Sequence, residues 1–373
     1  MTSKLKLLVA CSSVSVAMLC SAPAFAGGTA PGTDIVNTVN VNYQVSAIPQ
    51  NVVTATNTFK VDRKINLSLV EAATTGTTSV NPGQTGQTTR FQLTNTSNDT
   101  LDFALAALQQ GASTTNTAHG GQDGFDVTGF AVFVDVNGNG TYEAATDTAT
   151  VVDNLGPDAS RFIFIVGNIP LTATNGQIAG VQLTATAREA ANGGVINAAT
   201  ESTVNGATTV ETVFADVGKA GAGGLSANRD GIDVATDSYT VSAAALSVFK
   251  TSRVVSDGVT PGLAGFFPKA LPGAVVEYCI SVANATGGLT ATNVSISDLV
   301  PANTTYVPAS LQINAPVTTP GLTQTCAAGT PATDSAADAD GGSFGTPTNT
   351  VAGSLTDITG GTARALIFRA TIN

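Results

Sequence analysis

A proline–glycine pair, a run of alternating apolar and polar residues, and a closing asparagine occur twice in this chain. The first copy is Pro82-Gly83, then Thr89-Arg90-Phe91-Gln92-Leu93-Thr94-Asn95. The second is Pro272-Gly273, then Glu277-Tyr278-Cys279-Ile280-Ser281-Val282-Ala283-Asn284. Pro-Gly reverses the chain, and a period of two buries one face of a strand while wetting the other. Each copy comes after a basic and polar strand, Asp62-Arg63-Lys64-Ile65-Asn66-Leu67 in one case and Ser247-Val248-Phe249-Lys250-Thr251-Ser252 in the other. A unit that recurs in this way predicts two diverged copies of one β-sandwich module.

The rest of the chain is consistent with an all-β fold. Charged residues make up only 11 % of it, so strong helix formers are scarce, and β-branched residues alternate with Gly, Asn and Pro. The mean hydropathy of +0.22 is too high for a disordered linker. Leu101, Ala104, Leu105 and Leu108 have helical spacing, yet Leu101, Phe103 and Leu105 also fit a strand, which the β surroundings favour. Ala187 to Ala191 reads as one helical turn. Lys219 to Asp237, rich in Gly and with acids at Asp230, Asp233 and Asp237, reads as a long loop of solvated carboxylates.

The first residues carry the marks of a secretory signal. Lys4 and Lys6 precede a short apolar core, Leu7 to Leu19, and Ala24-Phe25-Ala26 offers small residues for cleavage after Ala26. The expected mature chain of 347 residues has room for about two domains. Its net charge of −13, against −11 with the two signal lysines counted, disfavours nucleic acid and anionic lipid as partners. No later segment is long and apolar enough to span a bilayer as a helix. The expected organisation is a signal peptide at 1–26, an N-terminal β-hairpin at 27–60 packing on the first module, a first sandwich at 61–245 and a second at 246–373. In the hairpin, Val39, Val41, Tyr43 and Val45 share one face, and Asn40, Asn42 and Gln44 the other. A lone hairpin of this size is not stable, so it must pack on the neighbouring module or on another molecule.

The second module has a more specific likeness. The turn Pro272-Gly273, the strand Val275 to Val282, the corner Asn284, and Asp298-Leu299-Val300-Pro301-Ala302-Asn303-Thr304-Thr305-Tyr306-Val307 together resemble the conserved repeat domain of bacterial surface proteins, also called domain of unknown function eleven. The resemblance implies tandem immunoglobulin-like Greek-key β-sandwiches, an exported protein and no catalytic activity. It covers roughly a third of the chain well and the rest in outline.

Two sets of residues are candidate sites. Cys11 and Cys20 leave with the signal, so Cys279 and Cys326 remain as an even pair. In an oxidising compartment a disulfide is the default reading, with roughly 3–4 kcal/mol of loop-closure stabilisation; two separate thiols are the alternative. The second set is Asp135-Val136-Asn137-Gly138-Asn139-Gly140-Thr141-Tyr142-Glu143-Ala144-Ala145-Thr146-Asp147. Calcium takes several hard oxygens from a flexible loop, and Asp135, Asn137, Asn139, the Thr141 carbonyl and Glu143 fall at the right spacing, with Gly140 at the sharp turn. The twelfth position is Thr146, and Asp147 lies one residue later, a departure from the EF-hand pattern. Asn-Gly pairs also form hairpin turns without any metal, so a plain turn stays open beside the calcium reading.

Catalytic constellations are missing from the sequence. His119 is the single histidine and reads as a solvated loop residue within Ala118-His119-Gly120-Gly121. No nucleophile elbow, zincin motif or phosphate loop is present. The expected function is a non-enzymatic structural or adhesive component at the cell surface or outside the cell. Its partners would be other surface proteins or its own copies, joined by β-strand addition. A soluble periplasmic or secreted module that binds a glycan or a protein is the alternative.

Overall fold

A computed structural model describes residues 28–72, 76–111, 117–190, 192–196, 201–216, 229–260 and 265–373. The signal-peptide assignment at 1–26 lies outside these residues. The described chain is all-β, with 24 strands and no helix.

Two sandwiches are built to one plan. In the first, β6 (Leu67–Glu71), β8 (Gln87–Asn95), β10 (Thr128–Val134) and β12 (Ser160–Asn168) form a sheet ordered β10-β12-β8-β6. Facing it are β7 (Thr78–Val80), β9 (Leu101–Gln109), β11 (Val151–Leu155), β13 (Ile178–Glu189) and β15 (Ile232–Val241), ordered β11-β9-β13-β15-β7. In the second sandwich, β16 (Leu246–Ser256), β17 (Val275–Asn284), β20 (Gln312–Pro316) and β24 (Ala363–Ile372) lie in the order β16-β17-β24-β20. The short β19 (Thr304–Tyr306) pairs with β24, and β21 (Thr330–Pro331) extends the sheet beyond β20. Opposite lie β18 (Val294–Leu299), β23 (Thr350–Leu355) and β22 (Gly342–Phe344).

The chain visits the two sheets in the same order each time. β6, β8, β9, β10, β11 and β12 correspond to β16, β17, β18, β20, β23 and β24, and every matching pair of neighbours is antiparallel. The repeated sequence unit explains why. Gly83 and Gly273 both turn the chain at positive φ, 82° and 88°, and their amides donate to Ile169 O and Ile372 O at the end of the last strand. Asn95 and Asn284 end the central strands and are buried. Asn95 Nδ2 donates to Asp99 O and Leu155 O, both at 2.8 Å. Asn284 Nδ2 donates to Leu289 O at 2.7 Å and Ile358 O at 2.9 Å. Asn95 therefore ties its central strand to β11 of the opposite sheet, and Asn284 ties its own to the Ala291–Ile358 bridge that follows β23.

Alternation decides what is inside. β8 buries Thr89, Phe91, Leu93 and Asn95 and leaves their neighbours half-covered. Those residues meet Phe103, Ile163, Leu183 and Tyr239 in one core. Ile280, Val282, Leu311, Leu366 and Phe368 make the second. Cys279 and Cys326 are bonded, with Cα atoms 6.0 Å apart, so the loop after β20 is fastened to the central strand. In the chain-entropy model, a closure across 47 residues contributes about 4 kcal/mol. On the outer face of β17, Glu277 sits between Arg253 of β16 and Arg369 of β24 in direct cross-strand register. Arg253 Nε donates to it at 2.8 Å, and Arg369 Nη2 at 2.8 Å.

Four expectations change. Lys219 to Asp237 is not loop throughout: β15 starts at Ile232, and Asp233 and Asp237 are buried strand residues, while 217–228 lie outside the described residues. Their backbones pair with β13, and the amides of Leu69 and Ser238 supply the hydrogen bonds that let the carboxylates sit inside. Ala187 belongs to β13, which runs to Glu189, because pairing with β9 and β15 outweighs local alanine propensity. His119 does not stand free in solvent, because its ring reaches two carboxylates, those of Glu71 and Asp237.

The opening hairpin, finally, does not lay its apolar face on the first module. β1 (Asp34–Val41) and β4 (Val53–Lys60) pair in full register, and β2 (Gln44–Val45) with β3 (Ile48–Pro49) forms the tip. Only the base is tied down, through Lys60 N to Ala207 O, Gly32 N to Val61 O and Asn98 Nδ2 to Thr29 O. The remaining pieces of the first module are β5 (Arg63–Ile65) and β14 (Thr212–Phe214), a parallel pair.

This packing makes two variants informative. Asn95→Ala and Asn284→Ala each leave one buried carbonyl and one partly buried one without the amide, so each should cost about 1–3 kcal/mol in urea denaturation. A loss below about 0.5 kcal/mol at either site would show that the amide does not hold the corner. For Glu277, burial raises the carboxyl, but the hydrogen bonds and charges of Arg369 and Arg253 outweigh it and hold it below the ordinary range. That contribution is present above the unfolded value of about 4.3 and is lost as pH falls through the lower folded value. Glu277→Gln should cost about 1–2 kcal/mol at neutral pH, reduced by the exposure of both arginines. The cost should shrink towards zero in acid; a cost independent of pH would remove the ion pairs as its source.

Candidate functional site

Three regions of the described chain carry chemistry. The first joins three segments remote in sequence. Glu71 ends β6, Asp237 lies in β15 of the facing sheet, and His119 lies in the turn after the 112–116 stretch, which is outside the described residues. His119 Nε2 is 3.1 Å from Glu71 Oε2 and 3.2 Å from Asp237 Oδ1. The backbone of the turn is open to solvent, but the His119 side chain is only 26 % exposed and the Asp237 side chain is fully buried. The ring lies over Gly76, whose Cβ, were there one, would meet Nδ1 at 3.7 Å. Thr77 Oγ1 donates to Ser238 O and fixes this stretch against β15. Burial pushes the Asp237 carboxyl up to about 7; the Ser238 amide pulls it down, Glu71 pushes it up, and His119 pulls it down.

Neither Glu71 nor Asp237 pairs with lysine or arginine among the described residues. The arrangement can hold a proton or a cation between an imidazole and two carboxylates. Sequence reasoning missed it because nothing in the spacing of 71, 119 and 237 marks it. The one available signal was the single histidine.

The second region is the loop 135–147. Asp135 and Asp147 are both fully buried. Asp135 Oδ1 accepts from Gly138 N and Asn139 N, and Oδ2 from Gly140 N. Asp147 accepts from Val136 N and Glu143 N, closing the loop from its far end. Asn137 and Asn139 turn their Oδ1 atoms onto the amides two residues on, 3.1 and 2.8 Å away. Asn137 Nδ2 donates to Glu143 Oε2 at 2.7 Å. Thr141 enters through its amide. The six predicted residues thus share one hydrogen-bonded loop. No lysine or arginine forms an ion pair with Asp135 or Asp147 among the described residues, although Arg90 Nη1 donates to Gly140 O.

The third region is the face of the projecting hairpin. Register places Ile35 opposite Phe59, Val39 opposite Ala55 and Val41 opposite Val53, all on one side. On the other side Asp34 pairs with Lys60 at 2.8 Å, Thr38 with Thr56 at 3.1 Å, and Thr54 with Asn40 at 2.9 Å. On the first side Val39, Val41 and Val53 are half exposed or more and Phe59 nearly so, but the Asn37–Asn57 pair interrupts it, and the exposed Val36 lies on the other side.

No family profile and no curated protein matches the chain. Among solved structures, it is similar to a Corynebacterium diphtheriae protein described as membrane anchored, with 9 % identity, 91 % of this chain and 89 % of that one covered, and a TM-score of 0.20. It is also similar to a serine-rich repeat protein of Streptococcus agalactiae, with 10 % identity, 83 % and 84 % covered, and a TM-score of 0.18. A third likeness is to a chaperone–tip adhesin complex of CFA/I fimbriae, with 7 % identity, 93 % and 87 % covered, and a TM-score of 0.17. Scores this low set no functional expectation, so function has to be read from the chain's own geometry. No helix among the described residues is long and apolar enough to cross a membrane.

Proposed function

We propose that this chain is an exported, non-enzymatic structural or adhesive component of a bacterial cell surface, and that its copies join by β-strand addition. The hairpin carries the reading. It presents a mainly apolar face, interrupted by the Asn37–Asn57 pair, and a mainly polar one, on a two-stranded ribbon too small to be stable unsupported. Beyond the base contact of Lys60 N with Ala207 O, neither outer edge pairs with another strand among the described residues, and a free strand edge is the usual donor in strand addition. The chain also offers an acceptor. In the first sandwich β13 covers the edge of β9; in the second, the equivalent edge of β18 has no neighbour among the described strands. A second copy of the chain is the occupant that this pairing of donor and acceptor fits. In this reading the second sandwich is a module of the conserved repeat type, and the disulfide stiffens it in an oxidising compartment.

Calcium at 135–147 belongs to the same proposal. Asp135 and Asp147 are buried and held by backbone amides, and a hard cation would exchange part of those contacts for direct bonds to the loop's oxygens. Asp135, Asn137, Asn139, the Thr141 carbonyl, Glu143 and Asp147 would hold it, and the ion would rigidify the loop between β10 and β11.

Light scattering on the full chain tests assembly. Val39→Lys with Val53→Lys changes two exposed side chains on the apolar face and should convert oligomers to monomers without moving the melting temperature by more than about 1 °C. Oligomers that persist, or a wild type that is monomeric at every concentration, would overturn the proposal in favour of a lone binding module. For calcium, the melting temperature should rise by about 5 °C between excess chelator and millimolar calcium. The rise should vanish in Asp135→Asn; an unshifted wild type would leave a plain hydrogen-bonded turn.

A further inference from the structure

We propose that Glu71, His119 and Asp237 form a binding site for one divalent transition-metal ion of the zinc class, distinct from the calcium loop. The donor atoms lie within 4.8 Å of one another and come from three separate segments, so local chain geometry does not force them together. Ligands held at about 2.0–2.2 Å in a tetrahedron sit about 3.3–3.5 Å apart. The two contacts of His119 Nε2, at 3.1 and 3.2 Å, need only a few tenths of an ångström of expansion to admit the ion.

A second observation points the same way. Asp237 is fully buried, and its Oδ2 has no hydrogen-bond partner among the described residues. A buried carboxylate oxygen of that kind is costly unless something binds it. Two carboxylates against one imidazole also leave net negative charge when no arginine or lysine pairs with them.

The donor set selects the ion. Calcium and magnesium take oxygen ligands, whereas an imidazole nitrogen with two carboxylates suits zinc and its neighbours. Three protein ligands leave a coordination position for water. Because Glu71 belongs to the four-stranded sheet and Asp237 to the five-stranded one, the ion would staple the two sheets of the first sandwich and pin the His119 turn to both.

The test is calorimetric titration of the chelator-stripped full chain with Zn2+ in millimolar calcium, which keeps oxygen-only sites filled. One equivalent should bind, and Zn2+ should raise the melting temperature by about 5 °C. In His119→Gln the affinity should fall at least tenfold and the thermal shift disappear, while the metal-free melting temperature stays within about 2 °C of wild type. Asp237→Asn should behave likewise. Should that buried variant fail to fold, His119→Gln decides alone, since its turn is open to solvent. Absence of a zinc-dependent shift in the wild type, or stoichiometric binding that survives His119→Gln, would reduce the cluster to an ion pair and overturn the proposal.

Discussion

The side-chain amides of Asn95 and Asn284 hold the rest of the structure in register. Each ends a central strand, and each donates to one carbonyl in the adjoining corner and one on the far side, Leu155 of the opposite sheet or Ile358 just beyond it. A sandwich core is non-directional: apolar side chains stack under many relative placements of two sheets. Buried carbonyls are directional, and leaving one unpaired is expensive. The amide therefore removes alternatives that the core alone would tolerate. Its Oδ1 completes the arrangement by accepting from Ser97 N in the first module and from Ala245 N in the second. The latter contact draws in the connector between the sandwiches. Ala243 N in that connector is in turn bound by Asn175 of the first module.

Much of this was legible in the chain. Period-two alternation located β8 and β17, because a strand with one wet face writes its orientation into every second residue; the run Val39–Val45 found only the end of β1 and crossed the break at 42–43 into β2. The Pro-Gly turn and the closing Asn were legible because each has a conformational job that few other residues do. The disulfide was legible as cysteine arithmetic. β15 was hidden by its own acids. Asp233 and Asp237 look like solvated loop residues until the amides of Leu69 and Ser238 and the nearby His119 are seen to receive them. Such compensation comes from partners between one and 164 positions away, and no local pattern encodes it. The same reason hid the Glu71–His119–Asp237 cluster.

The hairpin shows the converse. Its alternation predicted a face to be covered, by the first module in the expected organisation or else by another molecule. The strands form, but the apolar side is left open. Alternation specifies that a face is to be covered; it does not specify by what. Three pairs across the other face, Asp34–Lys60, Thr38–Thr56 and Asn40–Thr54, are satisfied within the hairpin itself, although Val36 on that face is also exposed. A ribbon with one largely completed face and one incomplete face is suited to meeting another surface.

The difference between the two copies of the module has the same logic. β13 and β15 are additions that the second sandwich lacks. They cover the edge of β9 and so remove a site for strand pairing from the first module. They also carry Asp237 to the side of β6, where it meets Glu71 and His119 across the sandwich. One insertion thus closes an edge and creates a polar cluster. Without it, the second module keeps a short edge at β18, whose alternate residues Ser295 and Ser297 and the Asp298–Lys250 ion pair make it polar rather than sticky. An edge of that kind resists indiscriminate aggregation but accepts a strand whose backbone is unpaired. A hairpin supplies such a backbone at both of its margins. In the proposed assembly the donor hairpin lies in the N-terminal part and the acceptor edge β18 in the second sandwich, so strand addition between copies would favour head-to-tail growth over closed pairs.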